Sequence, residues 1–540
     1  MDLLSQWLSY PAAPDRILSI IGITIHWLIL QYVLGLPLFI TVSLLAYKKT
    51  GNNNWERMAR VMSKALGLIF AVGAATGTAS EFGLLVIWPN LLEAAGRYIY
   101  FPLFVEIFAF LTEIVFIYSR VFAWTKLSVN QKILIAVLAM SGAWFSAAMI
   151  LSVNSYMVAP TGIVSAYDPA SGWKYAQGYP KILLIVPKNL VTALDVQKLQ
   201  QLGMDVVAET GSGVAVLMPS KIVARLVAEA WAGKTVRDSA LVLVVKPDAL
   251  TVVGNVLLME IVDKILVTTV KTVGYSTVTF HSPVYPGTLL HSVGAALTVT
   301  SFTILGAYSI LLLKSKSNAK KEYYIQGLKF GAVAALVTIV LQGAVFGHLM
   351  GTEIGKYNPE KLAAMEGTSS SILSLSKLLG TERIMAFLAY GSFEASLPSY
   401  DAIPGDYCSL LGVPPISDCK PPLIIHYLYY SKIGLSILLA LFSALVVYTL
   451  HRGKVARWLL LLGAASPLAA QLVSFLGWAV REIGRKPWTI YGVMTVDVAH
   501  TVNPADPLAY MTVAALFLAA LTGLIFAVWK TLYIPALKGE

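Results

Sequence analysis

The stretch L-G-W-A-V-R-E-I-G-R-K-P-W, from Leu476 to Trp488, joins an apolar run to a cluster of charges. The run that it closes, Arg457–Val480, is long enough to cross a bilayer as a helix, which takes ~20 residues. Four charged side chains then follow within six residues: Arg481, Glu482, Arg485 and Lys486. Basic residues at a span end commonly reach the lipid headgroups, and this is one interpretation of Arg481. Glu482 gains little there, so it indicates an internal partner or a ligand.

The composition is that of a membrane protein. Of the 540 residues, 57% are hydrophobic and only 13% are charged, and the mean hydropathy is +0.71. The net charge of +11 would fit a nucleic-acid-binding protein, but the basic residues gather in short loops between apolar runs, as in cytoplasmic loops of membrane proteins. We therefore predict no nucleic-acid partner. Two cysteines are too few for a disulfide scaffold or an iron–sulfur protein.

We predict an all-α polytopic membrane protein with nine transmembrane helices, because nine apolar runs reach the length of a bilayer crossing. The predicted spans are Ile17–Tyr47, Ala65–Leu92, Tyr100–Phe122, Ile133–Val158, Leu289–Leu313, Ile325–Met350, Leu423–Leu450, Arg457–Val480 and Ala509–Leu532. Basic residues follow every odd-numbered span, which predicts that these spans exit to the cytoplasm. The N-terminus would then lie outside, the C-terminus in the cytoplasm, and both long loops outside.

The predicted spans divide the chain into five regions. These are 1–158 with spans one to four, 159–285 as a soluble extracytoplasmic insertion, 286–350 with spans five and six, 351–422 as a second outer loop, and 423–540 with spans seven to nine. In the insertion, strand patterns at Lys181–Pro187, Met204–Glu209, Val214–Pro219 and Ala240–Lys246 alternate with helical patterns in the order β-α-β-β-α-β. This order predicts a small α/β, ferredoxin-like unit with a structural or subunit-docking role.

The second outer loop carries two features of interest. Lys361 and Glu366 lie five residues apart on a predicted short helix just outside the membrane; a solvated, charged loop helix is the alternative interpretation. Cys408 and Cys419 lie further along the loop, on the oxidising side. A disulfide between them is compatible with that location, and the sequence leaves it open.

Span three presents a stripe of charge. Glu106, Glu113 and Arg120 are spaced by seven residues and therefore share one helix face. A charged stripe through a bilayer usually lines a proton or ion path, with Arg120 at its cytoplasmic mouth. The alternative is a pair of protonated glutamates buried in a helix interface.

Two histidines are predicted in the outer parts of spans, His26 in span one and His291 in span five. Histidine in a membrane bundle is the usual axial ligand of haem iron, although a buried, hydrogen-bonded core histidine is the alternative for each. Lys361, Glu366 and Glu482 map to the same outer side. The residues alone therefore favour a polytopic protein that binds haem and contains a proton path.

Several motifs resemble those of subunit I of the cytochrome bd-type quinol oxidases, in an archaeal-like variant with a large insertion. G-A-A-T-G-T-A-S-E-F-G (Gly73–Gly83) and the end of span four (Trp144–Pro160) resemble family stretches. K-L-A-A-M-E (Lys361–Glu366) is similar to the family's quinol-binding loop, and G-R-K-P-W (Gly484–Trp488) is similar to its G-R-Q-P-W. The resemblance covers nearly all nine spans and leaves out the insertion.

This resemblance implies a role for each matching residue. His26 would ligate one haem of the oxygen-reducing pair, and Glu482 would ligate or adjoin the other, with Arg485 near a propionate and Trp488 beside it. His291 would ligate the low-spin b-type haem. Lys361 and Glu366 would bind quinol and accept its protons. Glu113 would lie on the cytoplasmic proton path with Glu106 at its haem end, although the family spaces these two by eight residues.

The implied enzyme is a quinol:oxygen oxidoreductase of the plasma membrane, electrogenic but not a proton pump. Its cofactors would be two or three b-type haems, with a d-type haem as the alternative in the active site. Its partners would be membrane lipid, quinol (ubiquinol or menaquinol), dioxygen and a second oxidase subunit, either subunit II-like or a subunit I homologue. A non-catalytic homologous partner subunit and a proton-coupled transporter are the alternative functions.

One departure from the family concerns the low-spin haem. The family has a methionine opposite the histidine, early in span seven, where this chain reads H-Y-L-Y-Y-S-K-I-G from His426 to Gly434. Tyr430 or Lys432 occupies the place, depending on how the glycines are matched. His426 is a further candidate for the sixth ligand, and a five-coordinate haem is the remaining alternative.

Overall fold

The structure is a computed structural model, and it is described for most of the chain. The described residues are 13–160, 167–170, 172–173, 181–187, 205–210, 213–219, 279–315, 318–403, 420–491 and 494–499, with isolated positions from 508 to 526.

Within these residues, eight helical segments are long and apolar enough to cross a membrane. They are built from α1 (Ala13–Thr50), α2 (Asn53–Ile87), α3 (Pro89–Ala123), α4 (Val129–Val158), α5 (Tyr285–Lys314), α6 (Asn318–Leu341) with its continuation, α11 (Ile424–His451) and α12 (Arg457–Ile483). They correspond to the first eight predicted spans. The ninth, Ala509–Leu532, lies mostly outside the described residues, as does the proposed Cys408–Cys419 pair.

The sixth span is longer than the sequence predicts. Helix α6 passes into a π-helical segment, Gln342–Gly347, and then into α7 (His348–Tyr357). The candidate span therefore runs from Lys320 to Tyr357 rather than ending at Met350. Short π-helical segments inside α-helices are frequently found at functional sites, and this one packs against α5.

Helix α5 lies at the centre of the bundle and packs on α1, α4, α6 and α12. Small residues allow the close approach: Gly35 of α1 abuts Thr300, and Gly331 of α6 lies against the backbone of Leu305. At both places a Cβ would collide with α5. Contacts of this kind drive helix association in membranes. The bundle surface, by contrast, is apolar, as the exposed Phe104, Phe108 and Leu111 of α3 illustrate.

The described part of the insertion contains strands. β1 (Tyr167–Asp168) pairs with β2 (Gly172–Trp173), and β3 (Lys181–Pro187), β4 (Asp205–Thr210) and β5 (Gly213–Pro219) form an antiparallel sheet in the order β3-β5-β4. These three strands match the first three predicted strands to within a residue. The fourth strand and both helices lie outside the described residues, so the ferredoxin-like arrangement stays a prediction.

The loop after α7 contains three short helices among its described residues: α8 (Pro359–Glu366), α9 (Leu375–Leu379) and α10 (Glu382–Tyr390). Every residue of α8 is buried, so its interpretation as a solvated loop helix is wrong. It ends at Gly367, whose φ of 63° is in the left-handed region that favours glycine. A Cβ at this glycine would lie only 2.7 Å from Nδ1 of His426, so the turn packs directly on α11.

Helix α12 ends at Ile483, ahead of Pro487. The chain then turns back into β6 (Trp488–Ile490), which pairs with β7 (Met494–Thr495) ahead of the short helix α13 (Val496–Ala499). Strand β6 packs on the end of α4. The turn brings the G-R-K-P-W motif beside a part of the chain more than 300 residues earlier.

Candidate functional site

Three distant stretches meet at the end of α12. The Asn358 side chain donates a 3.0 Å hydrogen bond to the carbonyl of Val158. The Tyr491 amide donates to the carbonyl of Met157 at 2.9 Å, and the Tyr491 hydroxyl donates to Glu360 Oε2 at 2.5 Å. These bonds bring together the ends of α4 and α12 and the buried helix α8. Three of the sequence motifs thus form one site.

A network of charged and polar groups lies inside this junction. Arg481 donates from Nε to Asn154 Oδ1 at 2.6 Å and from Nη2 to Thr288 Oγ1 at 3.0 Å. Asn154 Nδ2 is 3.4 Å from Glu482 Oε1, and the other oxygen of Glu482 is paired with Arg485. The interpretation of Arg481 as a residue that reaches the headgroups is therefore wrong, because its guanidinium turns inward and links three helices.

Lys361 brings a further positive charge to the same network. Its Nζ lies 3.5 Å from the carbonyl of Arg481, and its stem passes so close to Gly484 that a Cβ there would lie 2.9 Å from Cε. Burial, reinforced by the nearby Arg481, lowers the pKa of Lys361 to about 7. The amine is therefore poised between its two protonation states near neutral pH.

Glu366 lies on a different side of α8 from Lys361. Its Oε2 accepts a 2.8 Å hydrogen bond from the Tyr430 hydroxyl, while Oε1 is buried without a partner among the described residues. Burial raises the pKa of Glu366 to about 7, and the bond from Tyr430 opposes the rise. Lys361 and Glu366, which were expected to act together, thus both have a pKa of about 7. Their side chains, however, have different neighbours.

His426 is wholly buried at the start of α11 and uses both ring nitrogens. Nδ1 is 2.8 Å from the carbonyl of Met365, and Nε2 accepts from the amide of Leu375 at 2.9 Å. The neutral ring with its proton on Nδ1 satisfies both bonds. In this arrangement no lone pair is left for iron, which argues against His426 as the haem ligand; the ring instead ties the 351–422 loop to α11.

His291 and an acidic residue missed in the sequence lie on the α5 side of the site. Nδ1 of His291 is buried without a partner among the described residues. Glu353, in α7, accepts a 2.9 Å bond from the amide of Gly287 through Oε1, while Oε2 is buried and unpaired within the same described part. Glu353 lies in the stretch G-T-E-I-G (Gly351–Gly355), and the extension of the sixth span brings it against α5.

His26 is held by a residue of the G-A-A-T-G motif. Thr76 donates its hydroxyl proton to the carbonyl of Gly73 at 3.0 Å, so it accepts the 3.0 Å bond from Nδ1 of His26. This pattern assigns the proton to Nδ1 and leaves the Nε2 lone pair available, as in metal-ligating histidines. Gly77 provides the space for the ring, since a Cβ there would lie 3.0 Å from Cε1.

The charged stripe of span three lies on one continuous helix, α3. Glu106 accepts a 2.7 Å hydrogen bond from Ser146 of α4, and Glu113 packs against Gly142 of the same helix. Glu81 of α2 lies within electrostatic range of Glu106 and extends the group. Arg120 is fully buried, and none of its guanidinium nitrogens has a partner within the described residues.

The residues around the junction fit an anionic, histidine-ligated cofactor such as haem. Lys361, Lys432, Arg481 and Arg485 lie within electrostatic range of one another or of His291, with Glu482 and Glu353 as the nearby carboxylates. Nε and Nη1 of Arg485 are buried and unpaired in the described structure. These donors suit propionate oxygens. Trp488, 2% exposed, closes the same side of the site.

Eight apolar spans define a polytopic membrane protein. Two partly buried histidines and a cluster of cations give it a site whose chemistry fits a haem. The sequence profile of the family "Cytochrome bd terminal oxidase subunit I" matches residues 15–184 and 259–539. The chain therefore belongs to the cytochrome bd terminal oxidase subunit I family. As a member it is a multi-pass membrane oxidoreductase subunit of electron transport, in a haem-containing family.

Individual relatives agree with this assignment. The chain is 24% identical over 510 residues to a Bacillus subtilis (strain 168) protein provisionally named cytochrome bd menaquinol oxidase subunit I, covering 89% of this chain and 88% of the relative. It is 33% identical over 138 residues to Escherichia coli (strain K12) cytochrome bd-II ubiquinol oxidase subunit 1, covering 25% and 27%. The fold is similar to that of the bd oxidase from Geobacillus thermodenitrificans, with a TM-score of 0.64 and 19% identity over 98% of this chain and 99% of that one.

Proposed function

We propose that this chain is the catalytic subunit of a terminal oxidase that oxidises quinol at the outer face of the plasma membrane and reduces dioxygen to water with cytoplasmic protons. The observation that carries the proposal is the junction of α4, α8 and α12, where Lys361, Arg481, Glu482 and Arg485 form one buried network. A non-catalytic homologue would have no need to keep this network.

Three residues would hold haem: His26, His291 and Glu482. His26 has the tautomer suited to iron, His291 keeps an unpaired ring nitrogen, and Glu482 would bind or adjoin iron beside Arg485, whose free nitrogens suit a propionate. Bound haem would supply one-electron transfer and a site for dioxygen. We propose two or three b-type haems, or a d-type haem in the oxygen-reducing pair.

The outer loop, 351–422, would bind quinol. Lys361 and Glu366 each have a pKa of about 7, which suits groups that accept a proton near neutral pH. Tyr430 orients the carboxylate of Glu366. Quinol oxidation releases two protons with its two electrons, and these groups would receive the protons on the outer side.

Protons for water formation would come from the cytoplasm along α3. Arg120, Glu113 and Glu106 follow one another toward the outer end of this helix, and Ser146 holds Glu106 against α4. Charge separation between outer quinol oxidation and inner proton uptake would make the reaction electrogenic without a pump. A second oxidase subunit and lipid would cover the apolar faces, and the 159–285 insertion would lie outside.

The test is spectroscopic and kinetic, on the complex purified from membranes. A reduced-minus-oxidised spectrum should show haem bands, pyridine haemochrome analysis should identify their type, and added quinol should drive oxygen consumption. Replacing Glu482 with Ala should abolish oxygen reduction and perturb one high-spin haem in an assembled complex. Glu394→Ala, at an exposed position of the outer loop, is the matched control. Absence of haem bands, or unchanged turnover in Glu482→Ala, rejects the proposal.

A further inference from the structure

Lys432 is a lysine of a membrane span whose side-chain nitrogen has no acceptor among the described residues. It lies in α11 within the candidate span Ile424–His451, and its Nζ makes no hydrogen bond or ion pair in the described part of the chain. Nζ lies 5.4 Å from the centroid of the Tyr429 ring. An amine at membrane depth is costly unless it faces a partner or a cavity. The amine of Lys432 therefore requires a bound group that interacts with its nitrogen.

The amine faces the region where His291 lies. Helices α5 and α11 both pack on α6 and α12 but make at most marginal contact with each other over the described residues. His291 of α5 and Lys432 of α11 are nevertheless close enough to interact electrostatically. Gly477 of α12 borders the lysine stem, 3.4 Å from Cδ to a Cβ built there. Two nitrogen donors from helices held apart thus converge on one region.

Hydrogen bonding separates the three candidates for a second ligand in the first turns of α11. His426 has both ring nitrogens engaged, with Met365 and Leu375. The Tyr430 hydroxyl is committed to Glu366. Lys432 alone among the three has its donor atom uncommitted within the described residues.

We propose that Lys432 is the sixth ligand of the haem iron that His291 binds, so that one amine and one imidazole nitrogen complete its coordination. The inference rests on the proposed haem binding. The neutral amine donates its lone pair to iron, and the ammonium proton is released when the bond forms. Methionine opposite histidine raises the potential of a haem, so an amine in its place gives this haem a lower potential than a methionine would.

The ligand pair is read from the purified native complex by near-infrared magnetic circular dichroism and low-temperature EPR of the ferric low-spin haem. The charge-transfer band and the g-values should be those of an amine–imidazole pair. In Lys432→Met the haem should stay low-spin, with the band at longer wavelength and a higher midpoint potential. In Lys432→Leu the low-spin signal should be lost in favour of a high-spin one. Lys454→Met, at an exposed loop position just after α11, should leave all signals unchanged.

Haem content, measured by pyridine haemochrome, separates the outcomes. Equal haem per complex with the expected spectral changes supports the assignment. A native band at the bis-imidazole or imidazole–thioether position, or an unchanged low-spin signal in Lys432→Leu, overturns it. The native spectrum decides even where a variant does not accumulate. A native complex without haem would instead reject the proposed function, and the ligand with it.

Discussion

Tyr430 donates a 2.8 Å hydrogen bond to one oxygen of Glu366 and is the only described side chain that hydrogen-bonds to that carboxylate. The second oxygen is buried without a partner in the same described region. Burial raises the pKa of the carboxyl to about 7. The tyrosine stabilises the ionised form and so limits this rise. The hydrogen bond between Tyr430 and Glu366 therefore influences the pH at which this carboxyl gains or loses its proton.

Replacing Tyr430 with Phe should raise the pKa of Glu366 and so shift the pH profile of quinol oxidation to higher pH. Loss of a hydrogen bond to a charged group, worth about 1.5–3 kcal/mol, corresponds to a shift of about one to two pH units. Quinol oxidation at pH 7 should fall accordingly and recover at alkaline pH. The measurement is a steady-state pH profile with saturating quinol. Tyr429→Phe is the control, because its hydroxyl lies 4.0 Å from the Met385 sulfur and makes no hydrogen bond to a carboxylate among the described residues; equal profiles for both variants would contradict the role of Tyr430.

The native enzyme should oxidise quinol faster as pH rises from about 6 to 8. The folded-state pKa of Glu366 is raised to about 7 and that of Lys361 is lowered to about 7, so both gain the unprotonated, accepting form as pH passes 7. Glu366→Gln should remove its part of this rise and lower turnover by roughly 10²–10⁴-fold, the usual contribution of a general base. Glu394→Gln should keep the native profile, and a native rate that declines across this interval would exclude proton acceptance by these groups.

Thr76 should control haem retention at His26. In Thr76→Val the Nδ1 proton loses its acceptor, so the ring is free to rotate and to change tautomer. Loss of such a supporting partner typically costs 10–100-fold in affinity or activity. Haem content and oxygen consumption should both drop and be restored by Thr76→Ser. Thr41→Val is the control for disturbance of the helix, because the Thr41 hydroxyl bonds to the carbonyl of Pro37 in its own helix and to no other group among the described residues. A similar loss in Thr41→Val would contradict the role of Thr76.

Gly367 should tolerate alanine less well than Gly391. Both have positive φ, 63° and 74°, and so share a cost of about 1–2 kcal/mol for a Cβ in that conformation. Only at Gly367 would the Cβ meet another residue, His426, whereas the space at Gly391 is open. Gly367→Ala should therefore lower the thermal midpoint further and speed proteolysis of the 358–403 segment. Equal effects of the two substitutions would mean that the His426 contact does not hold the loop.

Much of the bundle is readable from the sequence because a bilayer crossing needs one long apolar run. Eight predicted spans have counterparts in the structure for that reason. The end of span six was missed because the helix continues into polar residues through a π-helical segment, ahead of Glu353. A hydropathy pattern indicates the length of helix that faces lipid. It does not indicate a helical segment that is buried against other parts of the protein.

The site was less predictable, since side-chain partners depend on packing. The sequence places Arg481 at a span end, but it cannot show that Asn154, 327 residues earlier, accepts a hydrogen bond from its guanidinium. The same limit applies to His426, whose ring looks like a ligand until its bonds to Met365 and Leu375 are known. By contrast, the spacing of Glu106 and Glu113 fixed their shared helix face, since that follows from helix geometry alone.

The bond between Arg481 and Asn154 also has a consequence for biosynthesis. A ribosome makes α4 long before α12, so Asn154 enters the membrane without its partner and waits through the synthesis of more than 300 residues. Contacts so distant in sequence form late in folding. The early helices can therefore insert and pair while the junction of α4, α8 and α12 is still absent. A cofactor held through Glu482 would be loaded only after the eighth span has arrived, and a chain interrupted before α12 would be a membrane bundle without this junction.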